Sequence, residues 1–445
     1  MTRKTLKTVT LGCKVNQYET EFVREALLSA GYRDVAPGET AELVVVNTCT
    51  VTQESDQKSR KLIRKLAGLH PEAEIVVMGC YASRKPEQAA ALPQVTEVLT
   101  DKRNIGDFLR RCGVFDLPVG IDSFGERHRA YVKVQDGCRV GCAYCIIPQV
   151  RPYLLSRPVH EVLTEIRQLT ACGYKEIVLT GIHLGHYGVD FQRDPVSLSE
   201  KKEDSQENPQ LAGLVAEILK LDAPFRLRLS SLEAVEISDE LVALVRSHPS
   251  RICPHFHLSM QSGSDEILQA MRRRGRSGPF REKCEQIKSE IEHAALTTDV
   301  IVGFPGETES QFEDTCRLAE SIGFSKIHVF PFSPREGTLA AALPNQIPAR
   351  VKERRAAELI RRAAELRENY ARSLSGRKLQ VLFETSSQGR FLGTADRYLR
   401  VHVSDGIRRN GMNLVTPDGP NEILGQLRDV TVTGVNGEEL QGELQ

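Results

Sequence analysis

Three apolar runs near the start of the chain end on the same residue. They are KTVTLGC (7–13), AELVVVNTC (41–49) and EIVVMGC (74–80). The helix-patterned segments YETEFVREALLSAGY and DQKSRKLIRKLAGL lie between them. KPEQAAAL, VTEVLT and NIGDFLRRC continue the alternation to residue 117. A run that is apolar at nearly every position is covered on both faces, as in a parallel sheet with helices on each side. The carboxyl ends of parallel strands share one edge, and ligands bind there. Cys13, Cys49 and Cys80, distant in sequence, are therefore expected together at that edge. Each precedes a segment leading to a helix, whose N-terminus favours thiolate.

Residues 125–348 repeat the alternation with AYVKVQ, EIVLTGI, FRLRLSS, HFHLSM, LTTDVIVGF and KIHVFPF as strands. Six such units imply a partial (β/α)6 barrel or an open α/β sheet. The polar stretch at about 190–210, DFQRDPVSLSEKKEDSQENPQ, interrupts the pattern and is expected to be a disordered surface insertion. Residues 349–373 form a basic helix with apolar positions at helical spacing. From 374 to 440 the texture changes to short β-prone runs with Gly, Asn and Asp turns, which fits a small antiparallel β-barrel. The fold class is thus α/β in its first two parts, with a small C-terminal barrel, and 445 residues suit such a division.

Directly after the first strand of the second region comes GCRVGCAYC. Cys138, Cys142 and Cys145 form a C-x3-C-x2-C loop. Three thiolates can hold three irons of a [4Fe–4S] cluster and leave the fourth open for a small molecule. The alternative is a zinc site that borrows a distant fourth ligand. Cys13, Cys49 and Cys80 likewise number three. Cys112, Cys172, Cys253, Cys284 and Cys316 lack such geometry and read as structural thiols. No apolar run approaches the ~20 residues of a membrane helix, and the start lacks the features of a signal peptide. A cytoplasmic protein is expected, in which cysteines serve metal or redox chemistry before disulfides. Lys+Arg and Asp+Glu are equal at 59 each, so any nucleic-acid surface must be local.

With these residues the chain resembles the radical S-adenosylmethionine (SAM) superfamily, whose cluster loop has an aromatic residue where Tyr144 stands. End to end it looks like a methylthiotransferase, with an N-terminal cluster domain, a radical SAM core and a C-terminal TRAM barrel. LGCKVNQYETE and NTCTVT resemble the branch that methylthiolates N6-threonylcarbamoyladenosine at position 37 of tRNA. The isopentenyladenosine branch typically carries Gln-Met-Asn, and the ribosomal-protein branch Pro-Lys-Asn, where Lys14, Val15 and Asn16 stand. LTGIHLGHYG, RLSSLE, HLSMQSGSDEILQAMRRR and TDVIVGFPGETESQF match as well. After the loop the family usually has Arg-Gly and a second basic residue before Ser-Arg-Pro. Here RPYLLSRP keeps Arg151 and Arg157 but has Pro152 and Leu155 instead, and Pro restricts a backbone that Gly leaves free.

The resemblance implies two [4Fe–4S] clusters. SAM would sit on the open iron of the Cys138/Cys142/Cys145 cluster, near Tyr144, Thr180, Gly181, Ser231 and Gln261. Radical chemistry there would reach the unactivated C2–H of the adenine. The cluster on Cys13, Cys49 and Cys80 would hold or donate the sulfur. The partners implied are the tRNA anticodon loop, an electron donor and a sulfur source. Lys352, Arg354, Arg355, Arg361, Arg362, Arg367 and Arg372 on the basic helix are expected to track phosphates. Arg390, Arg397, Arg400, Arg408 and Arg409 of the barrel would join them, with Phe391 and Tyr398 as stacking groups. The same chemistry on another substrate, or a non-catalytic iron–sulfur RNA sensor, are the competing readings.

Overall fold

The computed structural model describes residues 4–125, 127–191, 210–387, 389–404, 407–409, 412–414 and 423–445. The insertion at about 190–210 lies almost wholly outside these residues, as do the side chains of Arg408 and Arg409.

Strands β1 (Thr5–Thr10), β2 (Arg33–Asp34), β3 (Leu43–Thr48), β4 (Glu74–Gly79) and β5 (Val95–Val98) form a parallel sheet ordered β2-β1-β3-β4-β5. Helix α1 (Lys14–Ser29) covers one face, laying Val23, Ala26 and Leu27 against Leu6, Val45, Val76 and Met78. Helix α2 (Gln53–Leu69) covers the other with Ile63, Leu66 and Ala67 against Val44, Val46, Ile75 and Val77. Leu43 and Val45 serve one core and Val44 and Val46 the other, so this part of β3 has no solvent-facing position and is apolar throughout.

The second region holds β6 (Arg129–Asp136), β7 (Leu155–Ser156), β8 (Glu176–Gly181), β9 (Arg226–Leu229), β10 (Ser231–Leu232), β11 (His255–Leu258), β12 (Ala295–Val302) and β13 (Lys326–Pro331). Six parallel segments follow chain order, as expected, but the third is broken at Ser230. Its first half, β9, pairs with β8, and its second half, β10, pairs with β11. A bridge between Leu227 and Ile252 joins the two ladders. β7 adds an antiparallel edge beside β6; two residues carry no periodicity that a sequence could reveal. The helix Ala349–Ser373 covers β13, burying Ala356, Leu359 and Ala363 in the core.

β14 (Lys378–Ser387), β15 (Arg390–Ala395), β16 (Arg400–Ser404), β19 (Leu427–Asn436) and β20 (Glu439–Leu444) close into a barrel around Val381, Phe383, Phe391, Val401 and Val432. A separate hairpin pairs β17 (Ile407–Arg409) with β18 (Met412–Leu414). The barrel docks on the amino ends of the core strands. There the buried Glu176 accepts from Arg226 Nε and Arg228 Nε, each at 2.7 Å. The remaining guanidinium donors run to barrel carbonyls, with Arg226 reaching Gln380 O (2.6 Å) and Thr394 O (2.9 Å). Arg228 reaches Asp396 O (2.9 Å) and Ala395 O (3.0 Å). Tyr398, in a hairpin turn at φ +64°, stacks on His255 with ring centroids 4.9 Å apart.

This docking corrects part of the sequence reading. Tyr398 is part of the core's floor and Phe391 is buried inside the barrel, so neither forms an RNA-stacking face, and Arg397, expected to track phosphates, donates to His293 O. The basic helix is corrected too. Arg355 pairs with Glu307 and Glu309, Arg362 with Glu313, Glu320 and Glu358, and Arg361 with Glu358 and Glu365. Arg354, Arg367 and Arg372 pair with Glu309, Glu438 and Glu368, and Lys352 donates to Phe332 O. Glu307, Glu309, Glu313, Glu320 and Glu438 come from other elements, which helical periodicity cannot show, and Glu358, Glu365 and Glu368 from the helix itself.

Candidate functional site

Register sets the first group of thiols. Thr10 pairs with Asn47, and Asn47 with Met78, so β1, β3 and β4 end level. Cys13 caps α1, Cys49 follows β3, and Cys80 begins the short helix α3 (Cys80–Arg84). Two glycines make the approach possible. A Cβ on Gly12 (φ +119°) would lie 3.2 Å from Cys49 Cβ, and one on Gly79 (φ +95°) 2.4 Å from Thr48 O. Asn16 ties the edge together, donating through Nδ2 to Leu11 O and Thr48 O, each at 3.0 Å. Its Oδ1 accepts from Cys13 Sγ at 3.7 Å. Electrostatically, each of the three thiols acts on another of the group.

The second group sits on the loop after β6. Gly137 (φ +78°) admits no side chain, since a Cβ would lie 1.8 Å from Tyr153 O. The loop is held by Cys138 N–H to Arg151 O (3.3 Å), Ala143 N–H to Met271 O (2.9 Å) and Ala340 N–H to Ala143 O (2.7 Å). Tyr144 packs against the apolar group of Ala143, Met271, Phe304 and Phe332. Cys138 Sγ lies 3.5 Å from His183 Nδ1, and His183 Nε2 lies 2.7 Å from Glu236. His186 stacks on His183 at 3.8 Å and meets the same carboxylate. Burial disfavours the His183 charge, yet its bonds to Cys138 and Glu236 push it up to about 9. Beside the loop a cavity of about 530 Å³ opens, walled by Arg139, Gly185, His186, Glu236, Ser238 and Arg274.

Arg151 touches both groups. Its backbone carbonyl holds Cys138, and its buried side chain points Nε at Cys80 Sγ, 3.5 Å away. Its other donors reach Glu19 (2.9 and 3.0 Å), Asp136 (2.6 Å) and Asn16 (2.8 Å). Lys133 bridges the same two carboxylates, and Lys102 joins Glu19. Three cations thus face two carboxylates between the thiol groups. Pro152 is accommodated, with its carbonyl accepting from Arg139 at 3.2 Å. Arg157 instead serves Glu165, Tyr18 and Val119 O, away from the sulfurs.

The expected thiolate preference at helix starts is corrected. Burial raises the Cys80 thiol, with Arg151 opposing, and burial likewise raises Cys49. It pushes Cys145 up to about 12. Thr52, not Cys49, caps α2, and α3 has only five residues, so the helix-end contribution is small beside desolvation. The donor set still fits an iron–sulfur cluster. All six thiols are free, none in a disulfide, and each group is a soft triad with cationic or amide donors at its sulfurs.

Thr180 and Gly181 end β8, with Thr180 buried and Gly181 packed against the Gln135 side chain. Ser231 opens β10 and is exposed. Gln261 follows β11 at φ +66° and bridges in parallel to Val300. These four lie toward the carboxyl ends of neighbouring strands, whereas Tyr144 sits under the cysteine loop. Sequence reasoning missed His183, Glu236, Asn16 and the partners of Arg151, although LTGIHLGH and CKVN had been noted as motifs.

Residues 5–100 match the model of "Uncharacterized protein family UPF0004", and residues 132–319 match that of the radical SAM superfamily. The chain is 36% identical over 415 residues to a threonylcarbamoyladenosine tRNA methylthiotransferase, MtaB, of Bacillus subtilis, covering 88% of each chain. A protein of the same name from Thermotoga maritima is 35% identical, over 91% of this chain and 92% of its own. The chain belongs to the radical SAM methylthiotransferase family. Another member, a tRNA-2-methylthio-N(6)-dimethylallyladenosine synthase of Mycolicibacterium smegmatis, is 31% identical over 97% of this chain and 85% of its own. Among solved structures, the radical SAM methyltransferase TsrM of Kitasatospora setae shares the fold at a TM-score of 0.52 and 13% identity, covering 76% of this chain and 77% of its own. No helix among the described residues is long and apolar enough to cross a membrane.

Proposed function

We propose that this methylthiotransferase acts in the cytoplasm on tRNA, placing a methylthio group at C2 of N6-threonylcarbamoyladenosine 37. The observation that carries the reading is two soft thiol triads on facing strand edges, linked by one buried guanidinium. Cys138, Cys142 and Cys145 would hold one [4Fe–4S] cluster, with SAM on its open iron. Cys13, Cys49 and Cys80 would hold a second. When bound, these groups would relay the electron, form the radical and carry the sulfur that an unactivated aromatic C–H demands, with a second SAM as the source of the methyl group.

The chain's own residues supply position and shielding. Arg151 fixes the distance between the loops, because its backbone holds one and its side chain the other. Glu236 orients His183, so that Nδ1 faces Cys138. Gln135 Oε1 accepts from His183 N–H (2.8 Å), tying β6 to the turn after β8. The apolar packing beneath Tyr144 keeps water from the underside of the loop. The C-terminal barrel is read as a TRAM module, and electrons and sulfur come from partners.

Nucleoside mass spectrometry of tRNA from a deletion strain tests the substrate. The 2-methylthio-threonylcarbamoyl nucleoside should vanish, and loss of a dimethylallyl nucleoside instead would move the assignment to that branch. Anaerobically reconstituted protein with dithionite should release 5′-deoxyadenosine from SAM; none would leave an iron–sulfur RNA sensor. Cys49→Ala should keep SAM cleavage and lose all methylthiolation.

A further inference from the structure

The loss of the C-terminal helix as a phosphate-tracking surface leaves the question of where a polyanion lies. Helix α2 offers a different surface. Ile63, Leu66 and Ala67 face the sheet, whereas Lys58, Lys61, Arg64 and Lys65 are exposed. Glu54 pairs with Lys58 at 2.7 Å. Lys61, Arg64 and Lys65 have no ion pair or hydrogen bond among the described residues. They lie three and four positions apart on one helix face, where like charges repel. The chain leaves this repulsion uncompensated, although it pairs nearly every cation of the helix 349–373.

The stripe is continuous with the thiol edge. Thr52 caps α2 three residues after Cys49, and Ser59 of the helix donates to Cys49 O at 3.2 Å. At 1.5 Å per residue, Lys61 and Lys65 lie about 14 and 20 Å along the axis from that cap. A nucleic acid whose reacting base enters at the thiols has backbone phosphates at such distances. Flexible, unpaired Lys and Arg side chains suit phosphate contacts, which position a nucleic acid without reading its sequence.

We infer that the exposed face of α2, through Lys61, Arg64 and Lys65, binds the phosphate backbone of the tRNA whose modified base enters the thiol edge. This rests on the tRNA reading proposed above. The test uses full-length reconstituted enzyme and unlabelled bulk tRNA, comparing wild type with K61Q/R64Q/K65Q and with R361Q/R372Q on the C-terminal helix. The α2 variant should weaken tRNA binding on the order of 10- to 100-fold at 0.15 M salt, and lower the slope of log affinity against log salt by about 2.7, or 0.9 for each phosphate contact. R361Q/R372Q should change neither, and tRNA-free SAM cleavage should be equal in all three. Unchanged affinity in the α2 variant, with wild type binding normally, overturns the inference and spares the tRNA reading. A wild type that binds no tRNA overturns both. Slower reduction by an acidic electron-donor protein, with tRNA affinity intact, assigns the face to that protein and overturns the inference.

Discussion

The six-stranded core carries a buried ionic network at each end, and the two are built alike. At the amino end Arg129, Arg226 and Arg228 meet Glu176, and Arg129 and Arg400 meet Glu384. At the carboxyl end Arg151, Lys133 and Lys102 meet Glu19 and Asp136. Each has more cations than carboxylates, four for two at the amino end and three for two at the carboxyl end, and each joins the core to a flanking module. They differ in where the surplus donors point. At the amino end Arg226 and Arg228 are spent on peptide carbonyls, which makes a rigid joint with nothing left to offer. At the carboxyl end Arg151 keeps Nε for a sulfur. The same chemistry seals one interface and leaves the other receptive to anionic sulfur.

The strongest way to break this comparison is to cut one guanidinium at each end. Arg151→Met and Arg228→Met should each cost about 3–5 kcal/mol in denaturant melts, because each strands buried carboxylates. Only Arg151→Met should also lose iron from both thiol groups after anaerobic reconstitution. Equal iron in the two variants would erase the distinction. Next in size, His183→Ala should lower iron affinity at the Cys138 loop on the order of 10- to 100-fold, as loss of a group supporting a metal ligand does. Iron at Cys13, Cys49 and Cys80 should be unchanged.

Acid sharpens the comparison from the other side. His255, under Tyr398, is held neutral and well below 6.5 by burial and the Arg228 charge. The unfolded chain binds its proton first, so stability present above about 6.5 is lost as pH falls from there, by ~1.4 kcal/mol per pH unit. Glu176 overcomes its burial through Arg226 and Arg228 and is held well below 4.5. It adds a further loss below about that pH. Thermal melts from pH 7.5 to 5 should show the slope, and His255→Gln should flatten its upper part. The smallest effect is expected on the C-terminal helix, where Arg361→Ala removes an exposed pair and should leave Tm unchanged.

The loop triad was legible because its three ligands lie within eight consecutive residues. The scattered triad was legible because strand pattern alone implies a shared edge. The links between them were not. Arg151 meets Glu19 and Asn16 across 132 and 135 positions, and no periodicity spans that distance. The same blindness reversed the reading of the C-terminal helix. Its charge was visible, and so were Glu358, Glu365 and Glu368 on the same helix, but the further partners Glu307, Glu309, Glu313, Glu320 and Glu438 belong to other elements. Lys61, Arg64 and Lys65 of α2 stood in plain view within DQKSRKLIRKLAGL, and only the structure shows that nothing pairs with them among the described residues.

The docking of Arg226 on Gln380 and Thr394 spans 154 and 168 positions of chain. On a ribosome adding about 5–20 residues per second, those carbonyls arrive roughly 8–34 s after the arginine. During that interval the nascent core has two guanidinium groups, held by Glu176 but without their carbonyl partners, and an open floor beneath His255. A much later part of the chain therefore completes a domain begun earlier. A stop codon placed just before the barrel would leave every cysteine of both triads in a polypeptide that lacks the floor of its core.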